Sequence, residues 1–239
     1  MEDVMSDFMD SAPIARKTLV LFFLLDVSGS MDGEKIGTLN DAFRETLPEL
    51  KDLSNDNADA EIRLALLTFS NGAEWLTPQP VDLNTYKFRD LEACGGTDLG
   101  EAFTELQSKL DKNAFLSSQV GNFAPVIILM SDGEPTDDWE DALSDLNQNK
   151  WFKAAIKIAF SIGADADNDM LSQFTGNKEL VINTDNKKML KKMIKFVSVH
   201  STKIGGSTRS TPASKQEEVA EVIQEEIAAS EEDDVDGGW

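Results

Sequence analysis

Asp26-Val27-Ser28-Gly29-Ser30 sets one carboxylate and two hydroxyls at alternate positions, with a glycine between the hydroxyls. An extended chain sends alternate side chains to one face, and Gly29 lets the backbone turn sharply, so the three oxygens can gather in a small space. Oxygen donors of this kind suit hard cations. Magnesium takes six oxygens at about 2.0–2.1 Å and usually keeps several waters, so a few protein ligands suffice. Two further segments can complete the set: Gly95-Gly96-Thr97-Asp98, a tight turn opening a helical pattern, and Met130-Ser131-Asp132-Gly133, at the end of the apolar run Pro125–Met130. The candidate metal ligands are Asp26, Ser28, Ser30, Thr97 and Asp132. Thr97 also has an ordinary use, as a hydroxyl capping the helix that follows it.

Bringing these residues together requires strands that end at one place. Thr18–Leu25 reads as a buried strand leading straight into Asp26, and Ile62–Phe69 is apolar enough to be buried on both faces. Between them, Ile36, Leu39, Phe43, Leu47 and Leu50 recur at helical spacing, predicting a helix over Asp32–Leu53 that Pro48 kinks or ends early. Ala73–Leu76 and Pro80–Leu83 read as short edge pieces. Leu99, Ala102, Phe103, Leu106 and Leu110 form the next helical stripe, and Trp139–Gln148 another. Ala154–Gly163 is a strand, Asp169–Phe174 a short helix ended by Gly176, and Leu180–Asn183 a short strand. Lys187–His200 closes the series as a helix with a core stripe of Leu190, Met193, Ile194 and Val197. Its other face carries Lys187, Lys188, Lys191, Lys192 and Lys195, either a solvated surface or a dock for an acidic segment such as this chain's own tail. Strands alternating with helices give an α/β fold with a mostly parallel, doubly wound sheet, whose ligands bind beyond the carboxyl ends of the strands.

After His200 the composition changes. The chain divides into an N-terminal extension (1–16), the α/β domain (17–200) and a tail (201–239). Ser201–Ser214 is rich in Ser, Thr and Gly and reads as a flexible linker. Ser214 with Glu217 makes a capping-box pattern, and Val219, Val222, Ile223 and Ile227 then share one face of a short helix that needs a surface to fold against. From Glu231 to Asp236 the chain is an acidic run expected to stay disordered, and Trp239 follows two glycines.

A formal net charge of -22 over 239 residues argues against nucleic acid and anionic membrane surfaces as partners, since both would be repelled. Cys94 is the single cysteine, which excludes an intrachain disulfide and permits a reducing compartment. Met1–Asp10 lacks the basic and then apolar pattern of a signal peptide. Thr18–Leu25 falls far short of the ~20 residues of a membrane span. The expected location is cytoplasmic.

In this order, Asp-x-Ser-x-Ser, a Thr after a Gly pair, and Asp-Gly after an apolar strand resemble the metal-ion-dependent adhesion site of von Willebrand factor A (VWA) domains. The resemblance runs from about Thr18 to His200. The string Ser131-Asp132-Gly133-Glu134-Pro135-Thr136-Asp137-Asp138-Trp139, with Gly33-Glu34-Lys35-Ile36, is similar to the TerY-like branch of bacterial tellurium-resistance and stress gene clusters. This resemblance implies one short antiparallel edge strand. It also implies Mg2+, with Mn2+ or Ca2+ as substitutes, held by the hydroxyls of Ser28, Ser30 and Thr97, with Asp26 and Asp132 acting directly or through water. It implies a protein partner that supplies an Asp or Glu carboxylate to the ion, so the chain binds without making or breaking bonds. Kinases or phosphatases of the same gene cluster are expected partners, with Ser207, Thr208, Ser210, Thr211 and Ser214 as candidate phosphorylation sites.

Rival chemistries are less well supplied. An aspartyl phosphotransferase would want a second carboxylate where Ser28 stands, and a serine hydrolase would need the single histidine, His200, as base. No Gly-x-x-x-x-Gly-Lys phosphate loop occurs. A structural scaffold regulated by phosphorylation is the main alternative, followed by a metal-dependent hydrolase.

Overall fold

A computed structural model describes residues 16–58, 60–163, 166–184, 192–193, 196, 200 and 211–236. The first strand, β1 (Lys17–Asp26), is buried from Thr18 onward and forms the spine of the sheet. Its odd positions Leu19, Leu21, Phe23 and Leu25 belong to one hydrophobic core, and its even positions Val20, Phe22 and Leu24 to another on the opposite face. Each such side chain contributes about 1.5–3 kcal/mol on burial. A slip of one residue would exchange the two packing sets, so the register is fixed and Asp26 is delivered to one place.

The long helix α1 (Glu34–Asp56) covers the first face with Leu39, Phe43, Leu47 and Leu50. It passes Pro48 without ending, contrary to the early stop that proline suggests. Pro48 lies on the exposed side of α1, where water can take the carbonyl it leaves unbonded. β2 (Ala60–Ser70) then pairs parallel with β1, setting Asp26 opposite Phe69. β3 (Gly72–Trp75) and β4 (Val81–Asp82) both run antiparallel to β2, along different stretches of its outer side, and make one interrupted edge.

Beyond this edge the chain crosses to the second face. α2 (Leu99–Lys109) packs there with Leu99, Phe103 and Leu106, and β5 (Val126–Ser131) enters the sheet on the other side of β1. α3 (Trp139–Leu146), α4 (Lys150–Ala154), β6 (Ile156–Ile162), α5 (Asn168–Thr175) and β7 (Val181–Thr184) follow. The strand order is β3-β2-β1-β5-β6-β7, with β4 on β2. β1, β2, β5, β6 and β7 are mutually parallel. The direction of winding reverses between β1 and β5, which opens a crevice at their carboxyl ends.

Most of the predicted Lys187–His200 helix lies outside the described residues, as do residues 1–15 of the N-terminal extension, Ser201–Ser210 and Trp239. Lys192, Met193, Phe196 and His200 are helical, and Met193 is buried in the first core. The last helix, α6 (Pro212–Asp236), starts two residues before Ser214, with Thr211 ahead of Pro212. Proline suits a first helical position, and the Thr211 hydroxyl accepts a hydrogen bond from the Ser214 backbone N–H at 3.3 Å. Val219, Ala220 and Ile223 are buried in the same core as Leu180 and Ile182. Gln216 receives the Lys157 backbone N–H at 3.0 Å and donates to the Thr175 carbonyl at 3.0 Å, and Gln224 donates to the Glu179 carbonyl at 2.8 Å. Lys192, on the predicted basic face, pairs with Glu226 of α6 at 2.7 Å. The helix continues through Glu231–Asp236, where the sequence predicts disorder. Extending a docked helix costs far less than nucleating one.

Candidate metal centre

At the end of β1 the chain makes a single 3-10 turn, Gly29–Met31, instead of continuing straight. The turn brings Ser28 Oγ to 3.0 Å from Ser30 Oγ. Ser30 Oγ in turn donates to Asp132 Oδ1 at 2.8 Å, across more than a hundred residues of sequence. Gly29 is needed because the neighbouring loop crosses it closely: its N–H donates to the Gly95 carbonyl at 3.0 Å, and a Cβ at Gly29 would lie 3.2 Å from that same oxygen. The Cys94 N–H donates to the Val27 carbonyl at 2.8 Å, locking the loop that carries Thr97 against the loop that carries the serines.

Thr97 is not the cap of α2. Asp98 occupies that position, and the first free N–H groups of the helix, at Gly100 and Glu101, go to the Asp137 carboxylate at 3.0 and 3.2 Å. Thr136 ties the same two loops together: its Oγ accepts the Thr97 N–H at 3.0 Å, and its own N–H donates to the Thr97 carbonyl at 2.9 Å. Among the described residues no hydrogen bond occupies the Thr97 hydroxyl. It faces Gly133, where an added Cβ would stand 3.2 Å from Ser30 Oγ and 4.0 Å from Thr97 Oγ1. The missing side chain of Gly133 therefore leaves the space between these two hydroxyls open.

Five predicted ligands thus come together at the switch point between β1 and β5. Asp26, Ser28, Thr97 and Asp132 are buried, and Ser30 is exposed, so the cluster opens to the outside on the Ser30 side. Burial is the main force raising the Asp26 pKa above its ordinary value, with Asp132 adding to it; hydrogen bonds from Ser131 and Ser28 act the other way. Ser131 Oγ donates to Asp26 Oδ2 at 2.5 Å, and the Ser28 N–H donates to Oδ1 at 2.8 Å. A cation nearby would favour the charged carboxylate.

The donor set fits an octahedral hard cation. Oxygens at about 2.1 Å on adjacent corners of an octahedron lie about 3.0 Å apart. The separations of 3.0 and 2.8 Å along Ser28–Ser30–Asp132 are hydrogen-bond lengths that such an edge also accommodates without rearrangement. Among the described residues no group of three or more His, Cys, Asp or Glu side chains could hold a metal, so soft or imidazole-rich metal chemistry has no other seat there. His200 stacks on Phe196 at 4.0 Å, and no hydrogen bond joins it to Ser28 or Ser30.

Residues outside the predicted set also belong here. Ser131 holds Asp26 in place, Thr136 positions Thr97, and Gly133 leaves room for the hydroxyls. Lys35, from the first turn of α1, places Nζ 2.5 Å from Asp132 Oδ2. It sits in the Gly33-Glu34-Lys35-Ile36 string singled out in the sequence, but its partner is 97 residues away, which spacing alone does not reveal.

Sheet order, switch point and oxygen cluster together define a doubly wound α/β domain with a candidate hard-cation site at its carboxyl edge. The profile of the von Willebrand factor type A domain matches residues 21–196, and the chain belongs to that family. It is 29% identical over 196 residues to inter-alpha-trypsin inhibitor heavy chain H2 of Sus scrofa, an alignment covering 74% of this chain and 20% of that protein. The chain thus spans about a fifth of the length of the curated relatives it matches. Among solved structures it resembles proximal thread matrix protein 1 of the mussel byssus with zinc in its MIDAS motif, at a TM-score of 0.57 and 18% identity over 77% of this chain and 48% of that one. It also resembles the conserved hypothetical protein BatB from Bacteroides thetaiotaomicron, at a TM-score of 0.53 and 14% identity over 77% of this chain and 98% of that one. No described helix is long and apolar enough to cross a membrane.

Proposed function

We propose that this chain is a non-enzymatic, metal-dependent protein-binding module. Asp26, Ser28, Ser30, Thr97 and Asp132 hold a divalent cation, Mg2+ by preference, and a carboxylate from a partner protein completes its shell. The observation that carries this reading is the convergence of the Ser28, Ser30 and Asp132 oxygens with the Thr97 hydroxyl across the space that Gly133 leaves open, on a cluster exposed on the Ser30 side. The three hydroxyls are neutral, and with Asp26 and Asp132 acting through water much of the ion's charge stays uncompensated among its direct ligands, which favours an incoming anion over a further protein ligand. When bound, the ion supplies a Lewis-acidic point for that carboxylate; the protein's own groups fix where it stands and keep the buried side dry.

The string from Ser131 to Trp139 supports a place in the TerY-like branch, and with it a role in a cytoplasmic tellurium-resistance or stress complex beside kinases or phosphatases. Calorimetry with MgCl2 on the wild type and on Asp26→Asn tests the metal reading. Measurable binding by the wild type and its loss in the variant are expected; equal binding overturns the assignment. Co-purification from a native cell with and without chelator then tests the partner, which should be recovered only when metal is present. Phosphoester or nucleotide turnover that vanishes in Ser28→Ala would overturn the non-enzymatic reading.

A further inference from the structure

Lys35 stands where a helix does not favour a positive charge. The amino end of α1 carries the positive pole of the helix dipole, and an acidic side chain is the better occupant of a first turn. The Lys35 side chain is nonetheless 24% exposed and reaches Asp132, whose side chain is fully buried, at 2.5 Å. Its contact is with Oδ2, while Oδ1 receives the Ser30 hydroxyl. Both oxygens of Asp132 are therefore engaged by donors, and one of those donors is a whole unit of positive charge.

We propose that Lys35 is a tethered cation that competes with the divalent ion for Asp132, and so sets how tightly the metal is held before a partner arrives. This inference rests on the proposed metal reading. An ammonium on one oxygen of Asp132 offsets part of the negative charge the two carboxylates present to an ion, and it repels a second cation brought close to it. Metal affinity is weakened accordingly. A partner's carboxylate reverses the balance, since it brings a negative charge that both the ion and the Lys35 ammonium attract. Metal and partner then bind with positive coupling, and by linkage each raises the affinity for the other equally. Lys35 acts through Asp132 and is a positioning residue that tunes the affinity.

The test compares Mg2+ binding to the wild type, Lys35→Met and Lys35→Arg by calorimetry at low ionic strength, with melting curves in chelator and in MgCl2. Lys35→Met should bind Mg2+ about tenfold more tightly than the wild type, while Lys35→Arg stays weak. In chelator, Lys35→Met should melt below the wild type, because a buried carboxylate has lost its counter-ion, and MgCl2 should raise its melting point by more than it raises the wild type's. Equal or weaker Mg2+ binding by folded Lys35→Met overturns the inference and leaves the metal reading standing. Absence of Mg2+ binding in all three proteins overturns both. Should Lys35→Met fail to fold, Lys35→Gln, which keeps a donor for Asp132, takes its place with the same expectations.

Discussion

The carboxyl-end rim that gathers the five candidate ligands and the seat on which α6 lies are built from opposite materials. The rim is made of short polar side chains and backbone groups: serine and threonine hydroxyls, two carboxylates, and loops crossing at glycines. Its residues contribute little apolar burial, and its order comes from hydrogen bonds that each add only about 0.5–1.5 kcal/mol net. The seat of α6 is made of Val219, Ala220 and Ile223 buried in one core with Leu180 and Ile182, with two glutamines bonded to backbone. One region is therefore organised for ligand recognition and the other for stability. Substitutions should separate the two cleanly.

The largest expected effect is at the rim. Asp26→Asn keeps the shape and an acceptor for the Ser28 N–H but removes the charge, and should weaken Mg2+ binding by roughly 100-fold. Denaturant midpoints measured alongside should hardly move; a large drop in stability would mean that the rim also supports the fold. Next comes Ile223→Val at the seat of α6, expected to cost about 0.5–1.5 kcal/mol in denaturant unfolding. Mg2+ affinity of that variant should stay within about twofold, as for independent distant sites. A joint loss of stability and metal binding would erase the contrast.

Gly133→Ala sharpens the comparison within the rim. The new methyl group would lie 3.2 Å from Ser30 Oγ, tight enough to push the hydroxyl aside. About a tenfold loss in Mg2+ affinity with little change in melting point is expected. The smallest effect concerns Lys157 near the seat of α6, whose ammonium is held below its ordinary pKa by burial. The folded state therefore binds this proton less tightly than the unfolded chain, so stability is gained as pH rises from the lowered folded value to above the ordinary value near 10.5. Lys157→Met should remove that part of the alkaline rise in stability, read as a wild-type-minus-variant difference in melting point that grows with pH across the same window.

The contrast also explains what the sequence made legible. Asp26, Ser28 and Ser30 are consecutive alternate positions after an unbroken apolar strand, so local rules suffice to bring them together. Asp132 joins them because β1 and β5 run parallel and end on one edge, and Thr97 arrives on the loop before α2, which backbone hydrogen bonds from Cys94 to Val27 and from Asp98 to Ser70 hold against that edge. The partners that hold the cluster in place were not legible, because Lys35 on Asp132 and Asp137 on the end of α2 are long-range pairings with no local period. Thr97 also suits capping α2 by sequence, and the placement of Asp98 at the cap with Asp137 on the free N–H groups separates the two uses. At α6 the capping-box pattern at Ser214 outweighed the Thr211-Pro212 pair, and the helix extends past its apolar face because docking, rather than propensity, nucleates it.

The interrupted edge formed by β3 and β4 has a consequence for how copies of this chain meet one another. A long exposed strand is a template on which another chain can continue the sheet, which is the route to fibrous aggregates. Here the ten- and eleven-residue strands β1 and β2 are kept inside. Outward stand pieces of only four, two and four residues, β3, β4 and β7, with Pro78 and Pro80 between the first two. Proline offers no N–H to an incoming strand, and so few residues give it little to align with. Among the described residues, then, the sheet offers an incoming strand only short edges, which disfavours continuation of the sheet from one folded copy to the next.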